Sequence, residues 1–245
     1  PVACILHSMQ RFFLKPENIK GDVIHINDPL VIHQMSRVLR MRPNDHFIAL
    51  DNTGFEFECS LVSLGKDEAK ADIFEKRKNE TEPEIFVTLY QAMPKKMELF
   101  EMILQKCTEI GVSEFVPLIT EFTERTEISK YERLGKILRE AAEQSERGKL
   151  PVLRTETKFA DALSEKFSYP ILLHSRGNLN PLSTQIPDMG KTKRCEIFIG
   201  PEGGFSENEV ELAKMSGFKI CSLGKRILRT ETAAIVSAAL LLSNE

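Results

Sequence analysis

The sequence predicts an α/β protein in two parts: a small β-rich part over residues 1–72, and a larger part, 73–245, built on a parallel sheet with helices on both faces. Three observations predict it. Period-two alternation, as in Phe55-Glu56-Phe57-Glu58-Cys59, fills the first part and marks strands buried on one face. A charged stretch from Glu75 to Glu84 interrupts the apolar pattern and reads as the linker between the parts. From Ile85 onward, apolar strands alternate with helical periodicity, the pattern of βαβ units.

In the first part, Arg11 to Leu14 and Asp22 to Ile26 are strand-like. Asp28-Pro29 is a cap followed by a first-turn proline, so a helix is expected over Leu30 to Leu39, with Arg37 and Arg40 three apart on one face. These arginines either complement the helix dipole or form a phosphate-contacting edge with Arg11 nearby. Strand 46–51, a turn at Asp51-Asn52-Thr53-Gly54, strand Phe55 to Val62 and a third strand near Ala69 to Phe74 complete a small sheet or barrel.

In the second part, strand Ile85 to Ala92 leads through Met93-Pro94 into a helix over Lys95 to Ile110, with Gly111 as its stop. Strand Glu114 to Ile119 follows. Ser129 and Glu132 have capping-box spacing and are expected to open a helix over 129–147, on which Glu143 and Arg147 can pair. Next come strand-like Val152-Leu153, a short helix near Ala160 to Phe167, and strand Pro170 to His174. Strand Cys195 to Ile199 runs into Gly200-Pro201-Glu202-Gly203-Gly204-Phe205 and a helix opened by the Ser206/Glu209 capping box. Finally, strand Lys219 to Leu223 and the loop Gly224 to Thr232 precede an apolar helix from Ala233 to Leu242.

Composition narrows the class. Hydrophobic content of 42% and charged content of 28% are ordinary for a globular chain, no apolar run reaches membrane-span length, and residues 1–14 lack a signal-peptide core, so a cytoplasmic location without membrane is expected. The net charge of −3 argues against a broadly basic nucleic-acid binder. Any polyanion contact must come from patches such as Lys191/Lys193/Arg194 and Lys225/Arg226/Arg229. Cys4, Cys59, Cys107, Cys195 and Cys221 are dispersed without CxxC spacing, which favours free thiols, and the five histidines offer no metal-site pattern.

In parallel sheets ligands bind beyond the carboxyl ends of the strands. Three segments end there: Leu173-His174-Ser175, Ile199 to Phe205 and Leu223 to Thr230. Neither GxGxxG nor GxxxxGK[ST] is present, and Glu202 stands where a phosphate nest would need a neutral or positive residue. The loops suit a neutral or cationic ligand; a bare βα turn remains the alternative.

The segments IGPEGGFSENE and LGKRILRTETAA resemble the signature loops of the SPOUT methyltransferases, and specifically of the ribosomal RNA small subunit methyltransferase E family, the 16S rRNA uracil-N3 methyltransferases. The resemblance extends through RFFL at 11–14, HQMSRVLRM at 33–41, QKCTEIGV at 105–112, TERT at 123–126 and EQSERGKLP at 143–151. It implies a SPOUT domain over 73–245 with a deep trefoil knot, and a PUA-like RNA-binding β-barrel over 1–72. It also implies S-adenosylmethionine as methyl donor without a metal, 16S rRNA in the small ribosomal subunit as substrate, and a homodimer whose sites are completed by the partner chain.

Carried onto this chain, the resemblance implies a cofactor set of Leu173, His174, Ile199, Gly200, Glu202, Gly203, Gly204, Leu223, Gly224, Ile227, Leu228 and Arg229, with Ile227 and Leu228 as apolar walls. Methylating uracil N3 requires loss of its proton and an unpaired base. Arg229 and Arg125 are candidates to stabilise the uracil anion, and Glu231 is a candidate base, or else a first-turn acid of the last helix. Arg11, Arg37, Arg40, Lys95 and Arg147 are the expected RNA contacts. Two rivals stay open: a SPOUT enzyme with a different target atom or RNA, and a non-enzymatic RNA-binding assembly factor.

Overall fold

The computed structural model describes residues 9–185 and 192–243. Cys4 and Lys191, named above, lie outside them. The chain forms two compact units: Pro1–Glu82 with Ala142–Leu150, and Pro83–Ala141 with Pro151–Glu245.

The first unit is a six-stranded sheet. Its strands are β1 (Arg11–Phe13), β2 (Ile19–Lys20), β3 (Val23–Ile26), β4 (His46–Leu50), β5 (Phe55–Leu64) and β6 (Ala69–Lys78), in the order β1-β4-β5-β6-β3-β2. The β1/β4 pair is parallel and the other pairs are antiparallel. β1 and β2 end the ladder without pairing to each other among the described residues. β6 runs past the expected end at Phe74, through the residues read as linker, because the ten-residue β5 offers it a partner as far as Phe55. Phe12, Ile24, Ile26, Met35, Phe47 and Cys59 are buried in the core.

Two local expectations change here. The helix α1 (Pro29–His33) is capped by Asp28, which accepts from Leu30 N–H, but it continues as a π-helical turn over Gln34–Val38. Arg40 then has a φ of 54°, so Arg37 and Arg40 do not share a helical face.

Segment 142–150 closes the first unit. Phe13 N–H donates to Glu143, Arg11 pairs with Glu146 at 2.7 Å, and Arg147 donates to both Glu82 oxygens at 3.2 and 2.9 Å. The helix expected over 129–147 is α3 (Tyr131–Gln144), so Arg147 lies beyond it, after Glu146 at φ 63°. Its first hydrogen bond runs from Leu134 N–H to the Lys130 carbonyl, which makes Lys130 rather than Ser129 the cap.

The second unit is an eight-stranded, all-parallel sheet. Its strands are β7 (Phe86–Ala92), β8 (Glu114–Ile119), β9 (Val152–Leu153), β10 (Thr157–Lys158), β11 (Pro170–Leu173), β12 (Asn180–Pro181), β13 (Arg194–Ile199) and β14 (Lys219–Ser222). The order is β10-β8-β7-β13-β11-β14-β12, with β9 also on β8. Both faces are covered, as parallel strands require. Val87, Leu89, Phe115, Ile171, Cys195, Ile197 and Ile199 pack with α2 (Met97–Ile110), α3 and α6 (Thr230–Leu242). The alternate residues Tyr90, Val116, Leu172 and Phe198 pack with Phe159 of α4 (Phe159–Ala162) and with Val210 and Ala213 of α5 (Glu207–Met215).

Tyr90 and Phe198 stack at 4.1 Å. Burying one such aromatic contributes about 1.5–3 kcal/mol. The partly exposed Arg154/Glu165 pair beside it contributes about 1 kcal/mol or less, so packing dominates this face.

The expected helix near Ala160 to Phe167 is shorter, and the last helix starts at Thr230, three residues earlier than expected. Cys59, Cys107, Cys195 and Cys221 are buried free thiols, and burial pushes Cys59 up to about 12. No helix among the described residues is long and apolar enough to cross a membrane.

Arg147 is only 3% exposed, and removing one partner of a buried pair leaves the other charge stranded. Arg147→Ala is expected to cost about 3–5 kcal/mol in urea unfolding. A loss below about 1 kcal/mol, the scale of an exposed pair, would contradict the assignment.

Candidate functional site

β13, β11 and β14 lie side by side, and their carboxyl ends release three loops at one end of the sheet. Residues 173–176, 199–204, 223–224 and 226–229 line one cavity of about 600 Å³, within the range of small-molecule sites. Lys95, Lys96 and Leu99 add one wall, and Thr230, Glu231 and Ala233 of α6 add another.

The loop conformations follow from their residues. A Cβ on Gly200 would stand 2.9 Å from the Gly204 carbonyl carbon and 3.1 Å from Phe205 N, so the tight turn excludes any side chain there. Gly204 and Gly224 adopt φ of 75° and 99°, and the space beside each is open, which leaves their backbones accessible to a ligand. After the turn, Ser206 and Glu209 form the expected reciprocal cap of α5. The second Glu209 oxygen accepts Glu121 N–H at 2.9 Å and brings residues 120–124 alongside, with Phe122 against Gly203.

Three buried groups tie the cavity together. Gln91 Nε2 donates to Thr230 Oγ1 at 2.9 Å, and Thr230 Oγ1 donates to the Gly200 carbonyl at 2.7 Å. Glu202 Oε1 accepts the Lys95 backbone N–H at 3.1 Å, while Lys95 Nζ pairs with Glu124 at 2.7 Å. The hydrogen bond to Glu124 raises the Lys95 pKa. Burial lowers that of His174, and the charges of Arg176 and Lys214 lower it further.

All twelve residues of the expected cofactor set line this cavity, and so do Glu231 and Lys95. Glu231 is buried in the first turn of α6, directly after Arg229 at the cap and Thr230. Arg125 is not brought to them: it lines a separate cavity of about 330 Å³ with Glu98, Glu101 and Arg133. Of the expected RNA contacts, Arg37 and Arg40 are exposed, whereas Arg11 and Arg147 are held by Glu146 and Glu82. Their guanidiniums serve the first unit's own structure. Lys96, Arg176 and the roles of Gln91 and Thr230 escaped the sequence reading. A basic residue within three positions of a strand end was the available signal for Arg176; Gln91, inside an apolar strand, carried none.

The family model of the RNA methyltransferase domain matches residues 81–242. That of the RNA methyltransferase PUA domain matches residues 35–74. Ribosomal RNA small subunit methyltransferase E of Synechocystis is 37% identical over 94% of this chain and 76% of its own.

This chain belongs to the ribosomal RNA small subunit methyltransferase E family.

The family member of Bacillus subtilis is 32% identical, over 93% of each chain. A crystal structure of the Neisseria gonorrhoeae family member, bound to S-adenosyl methionine, superposes with a TM-score of 0.87 at 29% identity, covering 96% of this chain and 97% of that one. Against this family background the cavity residues fit an adenosyl and amino-acid ligand: open backbone at Gly204 and Gly224, apolar side chains at Leu173, Ile199, Leu223 and Leu228, and one carboxylate at Glu202.

Gly200→Ala is expected to reduce S-adenosylmethionine affinity at least about tenfold by calorimetry, because the added Cβ forces two backbone segments apart. Unchanged affinity would contradict it. His174 is expected to titrate below its ordinary value of 6.5 in NMR. Its folded pKa is depressed, so the associated stability is complete above the unfolded pKa and is lost as pH falls through the folded one. A titration above 6.5 would contradict the cause given.

Proposed function

We propose that the protein transfers a methyl group from S-adenosylmethionine to N3 of a specific uridine in 16S rRNA, acting on the small ribosomal subunit. The observation that carries this is the single cavity formed by three strand-end loops in a member of this family, whose Neisseria relative is bound to S-adenosyl methionine. We infer further that the chain around the cavity is threaded as a deep trefoil knot, that residues 1–72 act as the RNA-binding PUA-like part, and that the protein works as a homodimer.

S-adenosylmethionine supplies an electrophilic methyl on a sulfonium. Leu173, Ile199, Leu223 and Leu228 would enclose the adenine, with the backbone of 199–204 and 223–229 meeting its polar edge. The uracil N3 proton must leave as the N–C bond forms and the S–C bond breaks. Glu231, buried beside the cavity, would accept that proton; Arg229, at the cap of the same helix, would hold the developing charge on a uracil oxygen. Arg125 would act only in the cavity of a second copy, since its own chain directs it elsewhere. Arg37, Arg40 and Lys95 are the RNA contacts that remain exposed.

The test is methyl transfer to small subunits lacking the modification, compared with naked 16S RNA, followed by nucleoside analysis. The expected product is 3-methyluridine, formed faster on subunits. Any other methylated nucleoside refutes the proposed target.

A further inference from the structure

We propose that Ile227 is a wedge that enters the RNA stack beside the target nucleotide, with Lys225 and Arg226 gripping the flanking phosphates. The inference rests on the function proposed above and assigns the substrate side of the same cavity.

Ile227 is 77% exposed, while Leu228 beside it is half-buried. Both line the cavity, but the two aliphatics divide in exposure, with Leu228 turned further from solvent than Ile227. At this exposure the isoleucine side chain adds little burial to the folded chain. Its neighbours are cationic. Arg226, Arg229, Lys96 and Arg176 line the cavity and enter no ion pair among the described residues, and Lys225, exposed next to Arg226 in the chain, enters none either.

This excess of positive charge does not suit the methyl donor. A sulfonium and an ammonium against one carboxylate leave it with a net charge of about +1 at neutral pH. Four unpaired cations around a cationic ligand, with Lys225 exposed beside them, suit a polyanion strand crossing the mouth. N3 lies on the Watson–Crick edge, so the target base must leave its stack to present it, and the vacancy has to be filled. Apolar wedges flanked by cations do this in nucleic-acid complexes, offsetting part of the unstacking cost.

The test compares wild type, Ile227→Ala, Ile227→Leu and a Lys225→Ala/Arg226→Ala pair on unmethylated small subunits. Ile227→Ala is expected to lower kcat/KM for subunits about tenfold or more, with S-adenosylmethionine Kd within about twofold of wild type, and Ile227→Leu to restore most of the loss. The double variant is expected to flatten the slope of log affinity for RNA against log salt by about 0.7 per lost phosphate contact. A matching loss of S-adenosylmethionine affinity in Ile227→Ala would make the residue a cofactor wall and overturn the wedge. So would a lowered sedimentation mass, which would make it a contact between copies, or kinetics equal to wild type. An inactive wild type removes the proposed function together with this inference; an active wild type with an indifferent Ile227→Ala removes the wedge alone.

Discussion

A buried chain of hydrogen bonds, Gln91 to Thr230 to the Gly200 carbonyl, sets the geometry on which the site depends. Gln91 lies opposite Ile199 in the β7/β13 register, so the donor stands next to the end of the strand that releases the glycine loop. Gly200 is itself buried, and leaving a buried carbonyl unpaired costs about 1–3 kcal/mol. Thr230 meets that demand only if the first turn of α6 sits over the end of β13. The loop before α6 is thereby laid across the loop before α5, and the two enclose one cavity instead of forming two separate turns.

The charges divide along the same line. Inside the cavity the contacts are apolar side chains and open backbone, with Glu202 held by the Lys95 N–H. Around the mouth stand Lys95, Lys96, Arg176, Arg226 and Arg229, of which Lys95 alone is paired among the described residues. A chain of net charge −3 can still present this local positive field, because charges more than about 8 Å away are screened at physiological salt. The arginines of the first unit differ in kind. Arg11 and Arg147 hold segment 142–150 in place, whereas Arg37, Arg40 and Arg42 are exposed and enter no ion pair among the described residues.

Much of the fold was legible where the determinants are local. The Ser206/Glu209 cap, the Gly111 stop at φ 117° and the apolar β13 each express a pattern within a few residues. The failures share a cause as well. Ser129 and Glu132 have capping-box spacing, yet the cap lies one residue later, at Lys130, and the helix begins at Tyr131. The charged stretch 75–78 reads as linker in sequence because its β5 partner is about twenty residues away. Sequence spacing sets Arg147 on a helix face with Glu143, while its partner in the structure, Glu82, is 65 residues distant.

The sequence by itself determined the parallel sheet, the three strand-end loops and the exclusion of the common phosphate loops. Each of these is written in periodicity, glycine placement or the absence of a motif. The sequence boundary at 72/73 differs from the two units, the first of which runs to Glu82 and takes in Ala142–Leu150. Only the tertiary structure decided which charged groups are available and which are consumed, that Arg125 stands apart from Arg229 and Glu231, and that Ile227 points outward while Leu228 turns in. The physical reason is that a side chain's charge and exposure depend on what long-range packing brings against it, and no spacing along the chain records that partner.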